Sequence, residues 1–154
     1  MTIPEQQPQP DPADALQTTR IDALVGDWVT VPAVAERLGT KVTSVRSALT
    51  DRRIVGMKRG ERNIFSVPEQ FLIPLHLSNP ADRKPVQVPE GETEQIIILP
   101  ALKGTIIQLA DVGYTDAEII EWLFTVEGAL GETPMAALRT GRKSAVRRAA
   151  QGLG

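Results

Sequence analysis

Three short hydroxyl side chains and one guanidinium fall close together between positions 43 and 47. They are Thr43, Ser44, Ser47 and Arg46, which we call the polar stripe. On a helix in the major groove, short polar side chains approach base edges closely, and an arginine donates to guanine or to a phosphate. The solvated face of an amphipathic helix has the same composition. The stripe therefore predicts base contacts only if the neighbouring elements place it on DNA.

Seven basic residues lie in or near this stripe, although the whole chain has a net charge of −2. Residues 37–62 carry eight Lys or Arg against two acids, whereas residues 1–36 carry one Arg against six acids. A phosphate backbone responds to the local field and not to the total charge, so this asymmetry favours a nucleic acid as the partner. The basic residues that we expect to contact DNA are Lys41, Arg46, Arg52, Arg53, Lys58, Arg59 and Arg62.

Two short amphipathic helices are predicted to carry the stripe. Thr30 caps the first, Pro32 suits its first turn, and apolar residues follow at helical spacing. Gly39 suits the left-handed end of that helix, and a second apolar face follows over residues 42–49. Two such helices joined by a glycine-containing turn predict a helix-turn-helix with the stripe on its second helix. Lys41 stands where a Ser, Thr or Asn cap is usual, which weakens the start of that helix by about 1 kcal/mol.

A basic hairpin is predicted directly after the helix-turn-helix. Residues 54–57 and 64–67 are typical of short strands, and the glycine-containing stretch between them is typical of a hairpin loop, or wing. Lys58, Arg59 and Arg62 would contact phosphates or enter the minor groove. Basic residues are also ordinary at the solvated tip of a hairpin, so the wing supports DNA binding only together with the helix-turn-helix.

Composition divides the chain into four parts. Residues 1–19, rich in proline and acids, are predicted to be a disordered arm, and residues 20–78 to form the winged helix-turn-helix. Residues 79–95 are predicted to be a linker, and residues 96–154 a helical C-terminal module in which Thr115 starts a capping box. The expected fold is therefore mainly α, a winged helix-turn-helix with a small β-hairpin wing plus a C-terminal helical module.

Some residues leave two interpretations open. Residues 96–99 suit a strand or the start of a helix. Arg52 and Arg53 contact DNA, or they complement the dipole of the helix before them. The basic helix over residues 143–151 touches DNA, or it is a solvated face or an interface with an acidic partner. Trp122 stacks on a ligand or packs in the core, and its helical spacing with apolar neighbours favours the core.

The remaining residue types give no support to catalysis or to metal binding. The chain has no cysteine and one histidine, His76, so no Cys/His metal site can be assembled. Residues 141–144 match only the end of a phosphate-binding glycine loop. We find no secretory signal and no apolar run near the ~18 residues of a membrane span. We therefore expect a cytoplasmic protein that is not an enzyme and that binds no cofactor, metal or membrane.

Thr18 and Thr19 are candidate phosphorylation sites because they end the acidic arm next to Arg20. Phosphorylation would add about −1.5 to −2 charge there. We expect that charge to weaken DNA binding, since it adds to an arm that is already negative. An ordinary polar lead-in to the first helix is the alternative, and the residue types alone favour it.

Parts of the sequence resemble known protein families. Residues 31–39 resemble the first helix and turn of excisionase-like and MerR-like winged helices. Residues 113–124, followed by 133–139 and 146–151, resemble an actinobacterial family of small DNA-binding proteins with a winged helix-turn-helix and a helical C-terminal domain. The C-terminal block is also similar to the toxin-binding domain of some antitoxins. The family resemblance implies DNA binding and a nucleoid location.

The residues and the resemblance together predict a transcriptional regulator that binds double-stranded DNA. Its C-terminal module is expected to form a homodimer or to bind a small protein partner. Two alternatives stay open: an antitoxin-like interaction protein that also binds DNA, and a nucleoid-associated protein of low sequence specificity. Co-purification of a small partner would identify the first, and a small ratio of specific to non-specific affinity would identify the second.

Overall fold

A computed structural model describes residues 12–77 and 95–153, where the chain is mainly α-helical. Its helices are α1 (Pro12–Val25), α2 (Val31–Leu38), α3 (Val42–Thr50), α4 (Leu102–Asp111), α5 (Asp116–Leu123), α6 (Pro134–Arg139) and α7 (Lys143–Gln151). Its strands are β1 (Trp28–Thr30), β2 (Met57–Arg59), β3 (Ile64–Pro68), β4 (Leu72–Pro74) and β5 (Ile96–Ile98). Within these two ranges, no helix is both long and apolar enough to cross a membrane. The architecture confirms the predicted fold class.

Helices α2 and α3 form the predicted helix-turn-helix. The Thr30 side chain accepts a hydrogen bond from the Ala33 amide at 3.4 Å, and Pro32 lies in the first turn of α2. Gly39 ends α2 with a φ of 66°, a left-handed conformation that glycine adopts without steric cost. Helix α3 starts after Lys41, whose side chain makes no capping hydrogen bond. The Lys41 side chain therefore leaves the first amides of α3 uncapped, as its residue type predicts.

A three-stranded antiparallel sheet carries the wing, with β3 in the middle, between β1 and β2. Trp28 lies opposite Pro68 in the pair of β1 and β3, and Met57 lies opposite Ser66 in the pair of β2 and β3. The two wing strands were expected from the sequence, but β1 was not. A segment of three residues is too short to display a period of two, and its pairing with β3 is what makes it a strand.

The first wing strand is shorter than the sequence predicts. A strand is expected over residues 54–57, whereas β2 begins at Met57. The first two residues of the expected strand are buried in the core. Gly56 passes so close to β3 that an added Cβ would lie 2.6 Å from the Ser66 carbonyl oxygen. The apolar run thus anchors the wing to the core before the hairpin starts.

Helix α1 corrects the prediction of a disordered arm over residues 1–19 for its last part, residues 12–19. The helix begins at Pro12, and residues 1–11 lie outside the described part of the chain. It packs against β2 and α5, and Arg20 Nη2 lies 2.8 Å from Glu121 Oε2 of α5. These tertiary contacts offset the ordering entropy that the local composition by itself does not offset.

The two predicted domains share a sheet and a hydrophobic core. Strand β4 pairs antiparallel with β5, which shows that residues 96–98 form a strand. The Leu99 amide donates to the Phe71 carbonyl at 2.9 Å, and the ring centroids of Phe71 and Phe124 are 6.2 Å apart. Buried residues from both halves form one cluster. Of the predicted linker, residues 79–95, only the last residue is described.

The C-terminal module is helical, as predicted, and its strongest local signal is the capping box of α5. The Thr115 amide donates to Glu118 Oε1 at 3.0 Å, and the Glu118 amide donates to Thr115 Oγ1 at 3.2 Å. The bond from the backbone of Thr115 is the main reason that the pKa of Glu118 is lowered from its usual value. On the same helix, Trp122 packs against the core, the interpretation that its spacing favours.

Candidate nucleic-acid interface

Helix α3 turns its polar stripe to solvent. Thr43, Ser44, Arg46 and Ser47 are all exposed, whereas the apolar side of the helix packs against the core. The structure thus brings the four residues of the stripe together on an exposed surface of a helix-turn-helix. The second helix of such a motif is the element that lies in the major groove of DNA.

Two hydroxyl groups of α3 use their protons within the helix. Ser47 Oγ donates to the Thr43 carbonyl at 3.1 Å, and Thr50 Oγ1 donates to the Arg46 carbonyl at 3.1 Å. Each hydroxyl oxygen keeps its lone pairs, so α3 presents acceptors at these positions. In the major groove, an acceptor matches the exocyclic amino group of adenine or cytosine.

Arg59, a predicted DNA contact on the wing, is half-buried and interacts with residues of α1 and β1. Its Nε and Nη2 donate to the two carboxylate oxygens of Asp22 at 3.1 and 2.9 Å. The guanidinium carbon also lies 5.3 Å from the centroid of the Trp28 ring. A two-point ion pair combined with a cation–π contact fixes the direction of the guanidinium. Asp22 lies 37 residues from Arg59, and no spacing pattern connects the two, so sequence reasoning missed this contact.

The two arginines after α3 differ in their surroundings. Arg52 has a φ of 63°, and its Nη1 donates to Asp116 Oδ1 in the first turn of α5 at 2.6 Å. Arg53 is exposed, and the oxygen of Asp51 nearest to it is 3.9 Å away, too far for a hydrogen bond. Arg52 therefore connects the end of α3 to the C-terminal module, and Arg53 stays available to an external anion.

The other predicted cations are exposed and form no ion pair with any residue in the described ranges. They are Lys41, Arg46, Lys58 and Arg62. Lys41 lies in the turn before α3, and Lys58 and Arg62 lie on the wing. Exposed cations without a carboxylate partner are the groups that can neutralise phosphates and release their counterions.

Thr18 and Thr19 lie on α1 instead of at the end of a disordered arm. They line an open groove of about 590 Å³ between α1 and the wing, together with Lys58 and Glu61. Thr19 Oγ1 donates to the Ala15 carbonyl at 2.9 Å. The structure thus brings the two candidate phosphorylation sites next to a wing cation, a proximity that no sequence pattern indicates.

Two family models match this chain. Residues 16–72 match the winged helix-turn-helix domain of DNA-binding protein Rv2175c, and residues 99–154 match the Rv2175c C-terminal domain, whose function is unknown. Among solved structures, the chain is similar to the NMR structure of Rv2175c, with 25% identity and a TM-score of 0.57 over 82% of this chain and 80% of that chain. No curated protein matches the chain. The expected resemblance to a family with these two domains is confirmed, and the excisionase-like and MerR-like detail stays a prediction.

Proposed function

Because this chain belongs to the Rv2175c family, which joins a winged helix-turn-helix to a second domain, we propose that it regulates transcription by binding double-stranded DNA. Helix α3 lies in the major groove, and the wing contacts the neighbouring phosphates or the minor groove. The observation that carries this proposal is the exposed polar face of α3, flanked by cations that have no carboxylate partner within the described ranges.

The predicted site residues divide into three roles. Base contacts are assigned to Thr43, Ser44, Arg46 and Ser47. Phosphate contacts are assigned to Lys41, Arg53, Lys58 and Arg62. Arg59 and Arg52 are positioning residues, because Asp22 and Asp116 occupy their guanidinium groups and leave them to orient the wing and the end of α3.

Selection of duplexes from a random pool by the full chain tests this function. Affinity for the selected duplex is expected to exceed affinity for a scrambled duplex by at least about 10³-fold at physiological salt. A ratio near one would instead identify a nucleoid-associated protein of low specificity. Genome-wide mapping of bound sites then shows whether those sites lie in promoters, as a regulator requires.

The wing is tested by the salt dependence of binding. The double substitution Lys58→Gln, Arg62→Gln should reduce the slope of log affinity against log salt by about 1.8, because each phosphate contact contributes about 0.9. Arg148→Gln is the control, since it removes an exposed cation from α7, at the other end of the chain. An unchanged slope in the double variant would show that these wing cations do not contact phosphates.

The position of Thr18 and Thr19 supports control of the wing by phosphorylation. A phosphate there would place about −1.5 to −2 charge in the groove that Lys58 lines, where it competes with DNA for that cation. The variant Thr18→Glu, Thr19→Glu should bind DNA more weakly than Thr18→Gln, Thr19→Gln, which has the same side-chain length and no charge. Equal affinities for the two variants would contradict this control.

The C-terminal module is proposed to form a homodimer, which would place two recognition helices on one DNA. Half-sites in the selected duplexes would then be symmetric and separated by about one helical turn, or 34–36 Å. Light scattering of the full chain, with and without duplex, measures the number of copies. Co-purification of a small protein partner in place of a second copy would favour the antitoxin-like alternative. DNA binding of either kind implies a nucleoid location.

A further inference from the structure

The C-terminal module has five basic residues from position 139 onward, and two of them hold the fold together. Arg139 Nη1 donates to the carbonyl oxygens of Gln70 at 2.6 Å and Leu72 at 3.1 Å. Burial lowers the pKa of Arg139 from its usual value. Arg142 Nη1 lies 2.8 Å from Glu132 Oε1 and also donates to a backbone carbonyl. Both guanidinium groups thus have hydrogen-bond partners within the chain.

The other three basic residues of this stretch have no such internal role. Lys143, Arg147 and Arg148 are exposed, and none forms an ion pair with a residue in the described ranges. Lys143 and Arg147 are one helical turn apart on α7, and both line an open groove of about 220 Å³ between α7 and α4. Gln108 Nε2 of α4 donates to the Arg147 carbonyl at 3.1 Å, which ties the two helices together.

A glycine lies where this groove meets α4. Gly104 is exposed, and a Cβ added there would meet no atom within 4 Å. Glycine is unfavourable inside a helix, and the packing of the described residues does not require it at this position. The missing side chain leaves space for an external backbone to come close to α4.

The groove continues toward the helix-turn-helix. A neighbouring groove is lined by Leu38 at the end of α2, Arg53 after α3 and Lys103 of α4. The two grooves adjoin, because Pro100 lines both of them. None of the residues that line the two grooves is acidic. Arg53, Lys103, Lys143 and Arg147 thus form a row of cations, which we call the flanking row.

We propose that the flanking row binds the phosphate backbone of DNA beyond the segment contacted by α3 and the wing. This inference rests on the proposed DNA binding of the helix-turn-helix, with which the row shares Arg53. The charge complementarity is direct, since a row of cations without lining carboxylates meets a row of phosphates. The C-terminal module then lengthens the contacted stretch of DNA without reading its bases.

Hydroxyl-radical footprinting of the full chain on a long duplex selected from a random pool tests the flanking row. In the variant Lys143→Gln, Arg147→Gln, backbone protection on one flank should be lost, while protection at the core of the site stays. The slope of log affinity against log salt should become shallower by about 1.8, because two contacts at about 0.9 each are removed. Arg148→Gln, on the same helix but outside the groove, is the matched control and should keep the backbone protection on that flank.

Several outcomes would overturn the proposal that the flanking row binds DNA. One is an unchanged footprint and slope in a double variant whose thermal unfolding matches that of the wild type. Another is an equal loss of flank protection and an equal change of salt slope in Arg148→Gln, which would show a general effect of net charge. Binding of an acidic protein to this surface, abolished by the double substitution while the footprint stays, also overturns it. Failure of the wild-type chain to protect any duplex would reject the proposed function itself.

Discussion

Arginine side chains of this protein differ in role because their neighbours differ. Arg46 is exposed on α3 with no carboxylate partner in the described ranges, whereas Arg59 makes two hydrogen bonds to Asp22 and lies over Trp28. An exposed, unpaired guanidinium can form a two-point contact with guanine or phosphate. A guanidinium that is already paired acts by holding the backbone around it.

The first prediction concerns Arg46. Arg46→Ala should reduce affinity for the selected duplex by about 1–3 kcal/mol and relax the sequence preference at one base pair. Titration of the selected duplex and of its single-base variants measures both effects. An equal loss of affinity for all duplexes would show that Arg46 contacts a phosphate and not a base. No loss of affinity would contradict the placement of α3 in the interface.

The second prediction separates a positioning role from a direct contact at Arg59. If Arg59 orients the wing, Asp22→Ala should weaken DNA binding, although it removes a negative charge from the protein. If Arg59 contacted DNA itself, the same substitution would free the guanidinium and strengthen binding. Hydrogen exchange of residues 58–63 should be faster in Asp22→Ala in the positioning case, because the wing loses a tether. The sign of the affinity change decides between the two roles.

At the scale of elements, helix α3 combines a start without a side-chain cap and the exposed surface that we propose contacts DNA. Its first turn lacks a side-chain cap because Lys41 occupies the N-cap position. In three other helices a threonine at the N-cap accepts a hydrogen bond from an amide of the first turn, at Thr30, Thr115 and Thr133. If Lys41 contacts a phosphate as we propose, a cation has replaced a cap at the expense of helix stability, a local conflict that is typical of functional sites.

The third prediction tests this conflict with two substitutions. Lys41→Ser should raise the free energy of unfolding by about 0.5–1 kcal/mol through capping of α3. It should also reduce the salt slope of DNA binding by about 0.9, because one phosphate contact is lost. Lys41→Gln removes the charge without adding a good cap, so it should show the second effect alone. Equal stability of the two variants would mean that residue 41 does not limit the helix start.

At the scale of the whole molecule, the two halves are joined by side chains as well as by a sheet. Phe71 contacts Phe124, Arg52 pairs with Asp116, and Arg139 donates to backbone carbonyls before and at the start of β4. Buried residues from the helix-turn-helix and the C-terminal module belong to one cluster. Such a shared core predicts that the helix-turn-helix does not unfold separately from the C-terminal module.

The fourth prediction uses the two tryptophans, one in each half of the chain. In Trp122→Phe the remaining fluorescence reports on Trp28, and in Trp28→Phe it reports on Trp122. In urea, each variant should show the same midpoint by fluorescence and by circular dichroism, because one cooperative transition is expected. Adding Phe124→Leu to Trp122→Phe should lower the midpoint reported by Trp28. A fluorescence midpoint at Trp28 that Phe124→Leu leaves unchanged would show that the halves unfold independently.

Local signals in the sequence were sufficient to predict the helix-turn-helix and the C-terminal helices. The cap at Thr30, the left-handed Gly39, the capping box at Thr115 and the uncapped start after Lys41 all occur as predicted. Each of these signals acts within one or two helical turns, so the identity of a few neighbouring residues decides the outcome. The exposed stripe of α3 follows from the same periodicity, since one apolar face determines the opposite polar face.

Only the tertiary structure decided the extent of α1, the strand β1, the pairing of β4 with β5 and the partners of the arginines. Helix α1 is ordered by packing on β2 and α5, and β1 exists because β3 pairs with it. Arg59 meets Asp22 across 37 residues, and Arg52 meets Asp116 across 64. These contacts depend on where the whole chain brings distant groups, and the composition of a local window contains no information on that. The sequence therefore identified candidate DNA contacts, while the fold decided which of these side chains are exposed and which are paired within the chain.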